Sequence, residues 1–260
     1  MNQRIRLGKL FIRAGSFIQS LAVVVMRPVD LVEFNRLKYA SPSEVSAWGA
    51  ETLAAAGLTA AEKDLFARLP IKQGRLLLLG LGGGRDAIAL AKMGFDVVGV
   101  DFIPELVAQA QENAARHGVS LKGVVQEISQ LEFPPASFDL GLISAAMYSC
   151  LPTRERRVAM LTRIKTALKP GGYFLCQFIL DPEKPVNPRA QLARKVFAFL
   201  TRGNRWLEPG DVLKGPAEYL HIFLSPGELR SEFAAAGFAV LYFQSEEFGT
   251  WRGAVLQRPA

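Results

Sequence analysis

Residues 76–87 read Leu76-Leu-Leu-Leu-Gly80-Leu-Gly82-Gly83-Gly84-Arg-Asp-Ala87, and a second apolar run, Val97-Val-Gly-Val-Asp101, follows one helix-length later. The leucine run is short and is closed by glycines, which marks a strand buried on both faces. The glycines permit positive φ and let a ligand approach the backbone. Asp101 ends the next strand, at the ~20-residue spacing from the loop at which a carboxylate takes both ribose hydroxyls of an adenosine. Together the loop and the acid indicate an adenosine-containing ligand. The loop alone leaves its class open. Gly82-x-Gly84-x-x-Ala87 satisfies the dinucleotide fingerprint, whereas Gly80-x-Gly82-x-Gly84 satisfies the tighter loop used for a ligand with no pyrophosphate.

Outward from the loop, one pattern recurs: an apolar strand, a turn with glycine or an acid, then an amphipathic helix. Strands are expected at 75–80, 95–101, 121–126, 138–144, 172–179, 238–244 and 251–257, and helices near 84–93, 104–117, 153–168 and 226–236. This is the sequence form of a three-layer α/β fold with helices on both faces of a mostly parallel sheet. The last two strands are separated only by a short turn ending in Gly249-Thr250, so they pair antiparallel at the sheet edge. Before the first strand, Ser41 or Ser43 caps a helix running to about residue 56, and Thr59-x-x-Glu62 forms a capping box for the next. The chain divides into a helical segment over 1–70 and an α/β domain over 71–260, with an insertion at about 180–224.

The chain has 260 residues, half of them hydrophobic, enough to bury a full core. Cys150 and Cys176 lie in apolar stretches without a C-x-x-C spacing and read as buried, reduced thiols. With only His117 and His221 as imidazoles, a dedicated zinc site has almost no ligands to draw on, and no metal is expected. The net charge is +7, but residues 1–40 carry seven Lys or Arg against two Asp or Glu, so +5 of it sits there. The basicity is therefore local and is no nucleic-acid footprint of the whole domain.

Arg4, Arg6, Lys9 and Arg13 precede the apolar stretch from Phe17 to Met26. That stretch lacks a small-x-small cleavage site and falls short of the ~20 residues that span a bilayer. Leu10, Phe11, Ala14, Phe17, Ile18, Leu21, Ala22 and Val25 share one helical face, so the segment is an amphipathic helix. Two roles are open: a lid packed over the active site, or peripheral contact with an anionic membrane through residues 1–27. The expected location is cytoplasmic, peripheral at the membrane if the second role holds.

Six blocks in order resemble the class I S-adenosylmethionine-dependent methyltransferases, over roughly residues 70–257. They are Leu79-Gly-Leu-Gly-Gly-Gly84, Val100-Asp-Phe-Ile-Pro104, Val125-Gln-Glu-Ile128, Ser137-Phe-Asp-Leu-Gly-Leu-Ile-Ser144, Leu168-Lys-Pro-Gly-Gly-Tyr173 and Phe233-Ala-Ala-Ala-Gly-Phe238. The resemblance implies a Rossmann-like seven-stranded sheet with an antiparallel last strand, and S-adenosyl-L-methionine as cofactor. It implies that Gly80, Gly82 and Gly84 contact the methionine and ribose portions and that Asp101 holds the ribose hydroxyls. Phe102 would lie on the adenine, Glu127 would accept from its amine, and Ile128 would offer its backbone N–H. Ser144 and Ala145 would line the pocket near the methyl group. The family's acid two positions before the first loop glycine is Leu78 here, so its water-mediated contact to the methionine amino group is missing.

In-line methyl transfer depends on holding the acceptor behind the methyl carbon and excluding water, with a general base where the acceptor carries a proton. His221, whose ordinary pKa lies near neutrality, is the first candidate base, and Tyr148 is a candidate for orienting the acceptor. The acceptor pocket is expected from the N-terminal helices and the insertion, where Arg189, Arg194, Lys195, Arg202, Arg205 and Lys214 interleave with Phe197, Phe199, Leu200 and Trp206. The expected reaction is methylation of a small-molecule or lipid-like acceptor. A non-catalytic S-adenosylmethionine-binding protein and a nicotinamide-dependent oxidoreductase are the alternatives. Nucleic acid is not the expected acceptor, because Ser144-Ala-Ala-Met147 stands where an N-P-P-[FY]-like signature would.

Overall fold

The computed structural model describes residues 2–215, 217–244 and 251–260, with the side chain of residue 251 left aside. The helical segment comprises α1 (Gln3–Val25), α2 (Pro28–Tyr39), α3 (Pro42–Gly49), α4 (Glu51–Ala54) and α5 (Ala60–Ala67). The core then alternates as β1 (Gly74–Leu79), α6 (Arg85–Lys92), β2 (Phe95–Asp101), α7 (Pro104–Arg116), β3 (Lys122–Val125), β4 (Phe138–Ile143), α8 (Arg154–Ala167) and β5 (Leu168–Ile179). The insertion folds as α9 (Pro188–Leu200) and an antiparallel hairpin of β6 (Asp211–Lys214) with β7 (Glu218–His221). The chain closes with α10 (Pro226–Ala235), β8 (Ala239–Phe243) and β9 (Trp251–Gln257).

The seven-stranded sheet runs β3-β2-β1-β4-β5-β9-β8. Only β9 runs against its neighbours, paired with both β5 and β8. The antiparallel pair expected at the edge is thus present, and its expected Gly249-Thr250 turn lies outside the described residues. The leucine run Leu76–Leu79 of β1 shows why the buried part of the first strand carries no polar residue. Leu77 and Leu79 pack with Met160, Leu161 and Ile164 of α8 and Phe233 of α10. Leu76 and Leu78 enter the opposite layer, with Leu65 and Phe66 of α5, Leu90 of α6 and Ala110 of α7. Each buried leucine contributes about 1.5–3 kcal/mol, and the period of two makes one run serve both layers.

Two expectations are corrected. The single helix from Ser41 to about 56 is broken at Ala50, whose extended backbone separates α3 from α4. The break lets the end of α3 meet the glycine loop. Asn113 of α7 donates to the carbonyls of both Gly49 and Gly83, and a Cβ on Gly83 would fall 2.1 Å from the Trp48 carbonyl oxygen. The fifth strand begins at Leu168 rather than 172, because Phe138 pairs with Leu168 across a register shift that takes in the Lys169-Pro-Gly-Gly172 segment. The Thr59-Glu62 capping box forms as expected, with Thr59 N–H donating to Glu62 Oε2 and Glu62 N–H to Thr59 Oγ1.

Candidate functional site

The sheet order places a topological switch between β1 and β4, where the chain runs outward through β2 and β3 and then returns to the other side of β1. Crevices form at the carboxyl ends of strands at such points. A cleft of about 720 Å³ opens there. Its floor is the loop Gly80-Leu-Gly-Gly83, Asp101-Phe102 after β2, Ser144-Ala-Ala-Met147 after β4, and Gln177 near the end of β5. A smaller recess shares Gly80, Asp101 and Phe102 with the cleft and adds Glu127 and Ile128.

The loop is shaped for a ligand at the backbone. Gly80, Gly82 and Gly84 have φ of +81°, +51° and +94°, and a Cβ on Gly82 would meet no atom within 4 Å. Asp101 is buried and ties the loop to the β2 turn, accepting from Gly82 N–H at 2.8 Å and from Ile103 N–H at 3.1 Å. Desolvation raises its carboxyl above the ordinary value, and the N–H donors of Gly82, Ile103 and Phe102 oppose that rise. A carboxylate with one backbone donor on each oxygen retains lone pairs for a vicinal diol. Glu127 accepts from Ser129 Oγ and from Gln130 Nε2 at 2.9 Å, with Arg156 at 3.4 Å. Ser144 is buried at the cleft floor, and Ala145 next to it has φ +53° with its N–H donating to Gln177 Oε1 at 2.8 Å. A non-glycine residue held at positive φ stores strain where the strand hands over to the pocket. Gly80, Asp101 and Phe102 thus line both spaces, Gly82 and Ser144 the cleft, and Glu127 and Ile128 the adjoining recess, while Gly84 opens α6 just behind the loop as its N-cap.

The two side chains put forward for chemistry lie elsewhere. Tyr148 is fully buried, stacked on Phe223 at 5.7 Å, with its hydroxyl donating to Glu232. Burial, then Glu232, pushes its phenol well above the ordinary range. His221 is buried, hydrogen-bonded through Nδ1 to Asp211 Oδ1 at 2.9 Å, and lines a separate cavity with Arg157, Glu208 and Glu232. Neither lines the cleft. Around them the Arg157 guanidinium, 1% exposed, ties Glu232 of α10 at 2.7 Å to Glu208 of the insertion at 2.9 Å, a structural cross-link beneath the hairpin. Glu208, Asp211 and His221 hold ligand-type atoms within 4.8 Å of one another, but Arg157 already supplies the positive charge there.

The cleft takes its other wall from residues that, Lys214 apart, the sequence did not mark. Lys38 and Tyr39 of α2, Glu44 and Trp48 of α3, and Lys214 and Glu218 of the hairpin all line it. Tyr39 hydroxyl donates to Glu218 Oε1 at 2.5 Å, and Lys38 Nζ to Glu218 Oε2 at 3.1 Å. Burial, then Cys150 and Glu218, raises the Tyr39 phenol. Cys150 lies beside them, its thiol pushed up to about 12, mainly by desolvation. At the loop end, Arg85 pairs with Glu62 at 2.7 Å and Asp86 at 2.6 Å, and all three line the cleft. Burial and Asp86 raise Glu62 against the pull of Arg85. The signal for Arg85 and Asp86 was their adjacency to the last loop glycine. Glu62 announced itself only as a helix cap. Of the six basic residues picked out in the insertion, Lys214 alone lines the cleft.

A methyltransferase-domain family model matches residues 76–172, which hold the loop, Asp101 and the β4 floor. A ubiquinone biosynthesis O-methyltransferase of Xanthomonas euvesicatoria is 31% identical over 190 residues, which cover 71% of each chain. The chain belongs to the class I S-adenosylmethionine-dependent methyltransferases. S-adenosylmethionine is the cofactor that this membership assigns, and the dinucleotide reading of Gly82-x-Gly84-x-x-Ala87, with the oxidoreductase built on it, is set aside. A ubiquinone biosynthesis O-methyltransferase of Cereibacter sphaeroides is 28% identical over 176 residues, 68% of this chain. The match spans 64% of that relative's length. The fold is shared with Burkholderia thailandensis 1,6-didemethyltoxoflavin-N1-methyltransferase, with a TM-score of 0.60, 19% identity and 88% of each chain covered.

Proposed function

We propose that this methyltransferase transfers the methyl group of S-adenosylmethionine to a hydroxyl of a small, lipid-like acceptor. The observation that carries the proposal is the two-walled cleft. One wall is the glycine loop with Asp101, and the other is the apolar and aromatic side chains Tyr39, Trp48 and Met147 around the Glu218 carboxylate. A concave space of this size suits a small molecule rather than a folded protein or a duplex. The similarity to O-methyltransferases supports a hydroxyl acceptor.

When bound, the cofactor supplies an electrophilic methyl on a sulfonium. The loop and Asp101 would hold its ribose and methionine portions, Phe102, Glu127 and Ile128 would hold the adenine, and Ser144 and Ala145 would flank the methyl. Arg85 with Glu62 and Asp86 would take the amino-acid end, in place of the acid that Leu78 does not provide. In the transfer the carbon–sulfur bond breaks as the acceptor oxygen–carbon bond forms, and the hydroxyl proton passes to Glu218 directly or through Tyr39. Glu218 is a base at the cleft wall, where His221 is not. The alternative, a protein that binds the cofactor without catalysis, has Leu78 in its favour.

The experiment is turnover of S-adenosylmethionine against long-chain and short-chain phenols, followed by S-adenosylhomocysteine release and product mass. Methylated phenol, with the alkylated substrates favoured, is the expected result. Cofactor binding with no turnover on any acceptor would move the protein to the binding-only reading.

A further inference from the structure

Helix α1 does not cover the cleft. Every residue from Gln3 to Ile18 is exposed, so at 1.5 Å per residue the exposed part of the helix is roughly 24 Å long. Its last turns are anchored: Val23 and Val24 are fully buried, and Asn204, beyond α9, hydrogen-bonds the carbonyls of both. On the exposed part, Leu7, Leu10, Phe11, Phe17 and Ile18 fall on one arc, with Arg6, Lys9 and Arg13 in a row beside it.

Helix α9 repeats the feature with its polarity inverted relative to a helix on a soluble core. Leu192, Val196, Phe199 and Leu200, at i, i+4, i+7 and i+8, are exposed, while Arg194 is half-buried against the Asp211 carbonyl. Trp206 is exposed just beyond, and the Arg205 guanidinium lies 5.4 Å from the centre of the Phe199 ring. The two helices meet at their C-terminal ends, where Arg27 donates to the Arg202 carbonyl. Of the 21 exposed large hydrophobic side chains among the described residues, 14 belong to α1, α9 and Trp206, a concentration that marks an interaction surface.

We propose that α1 and α9 together form a docking face for an anionic lipid bilayer. Charge selects this occupant. Residues 2–27 and 188–206 hold ten Lys or Arg and no Asp or Glu, so a second copy pressed to the same face would set like charges against each other. An anionic headgroup layer meets both the cations and the apolar side chains. Helix α1 is long and apolar enough to cross a bilayer by length and composition, but Arg4, Arg6, Lys9 and Arg13 recur along its exposed part and its last turn is inside the protein, which places it in the interface rather than across it. The face stands on its own observations and does not need the methyl-transfer reading.

The test is co-sedimentation of the full chain with phosphatidylcholine vesicles, with and without one-third phosphatidylglycerol. Three double variants at exposed positions accompany it: Phe11→Glu with Phe17→Glu, Phe199→Glu with Leu200→Glu, and Arg6→Glu with Arg13→Glu. S-adenosylhomocysteine affinity equal to the parent's certifies that each is folded. Binding to the anionic vesicles only, released by salt and reduced about tenfold or more by each variant, is the expected result. Equal binding to neutral vesicles, or none to either, overturns the proposal, as does an α9 variant that binds like the parent. A protein that self-associates without lipid through these residues, or one that resists a high-salt wash and yields only to detergent, also overturns it.

Discussion

The two walls of the cleft are built differently. The cofactor wall is backbone: glycines at positive φ and a carboxylate held by peptide N–H groups, all within one β-α-β unit between Leu76 and Asp101. The acceptor wall is side chain: Tyr39, Trp48 and Glu218 come from segments about 180 residues apart, joined by the Tyr39–Glu218 and Lys38–Glu218 contacts. A backbone site leaves its mark in local sequence because only certain residues tolerate its φ and ψ. A wall of side chains from distant segments leaves none, since any of many lysines or tyrosines could have been brought there.

The largest expected effect separates the two walls by stability. Glu232→Ala leaves the Arg157 guanidinium buried without its main partner and should cost about 3–5 kcal/mol, seen as a lower thermal midpoint. The cofactor affinity of the folded protein should remain, because the cross-link holds α10, α8 and the insertion and does not touch the loop. An unchanged midpoint would mean that the insertion is not tethered there.

Next comes turnover. Glu218→Gln should lower kcat about 10²-fold, the usual worth of a positioned base, with S-adenosylhomocysteine affinity unchanged. A matching loss in cofactor affinity would place Glu218 on the cofactor side and erase the distinction.

The loop offers a joint test of both walls. Gly83→Ala must displace the Trp48 carbonyl and with it the end of α3, so both kcat and cofactor affinity should fall. Its effect should exceed that of Gly82→Ala, where a Cβ meets open space and only the φ of +51° is strained, at about 1–2 kcal/mol.

The smallest effect is in pH. Desolvation holds the Asp101 carboxyl above its ordinary value, and on the proposed binding mode the ribose hydroxyls would donate to its ionised form. Cofactor affinity should therefore be full near neutrality and fall on acidification, beginning at a higher pH than an ordinary aspartate would give. For folding the sign is opposite: a raised carboxyl favours the folded state below the unfolded-state pKa, and this contribution is lost as pH rises through the folded-state pKa. Calorimetric titrations across the acid range distinguish the two.

Sequence alone carried the seven strands, their mostly parallel pairing and the antiparallel end, because strand periods and glycine punctuation are local; the strand order came only from the structure. It also carried the loop and Asp101. It missed the break at Ala50, which exists only because Trp48 and Gly49 must meet Gly83 and Asn113 across the fold. It favoured His221 for its intrinsic pKa, whereas the β6-β7 hairpin pairs Asp211 with His221 and binds the imidazole to that carboxylate, away from the cleft. Glu218, three residues earlier on the same strand, faces the cleft instead.

The most direct test of the central claim is calorimetric titration of the protein and of Asp101→Ala with S-adenosylmethionine and S-adenosylhomocysteine. The account predicts that both ligands bind the parent and that the variant, losing charged hydrogen bonds worth about 1.5–3 kcal/mol each, binds at least tenfold more weakly. Equal affinity of parent and variant would contradict it.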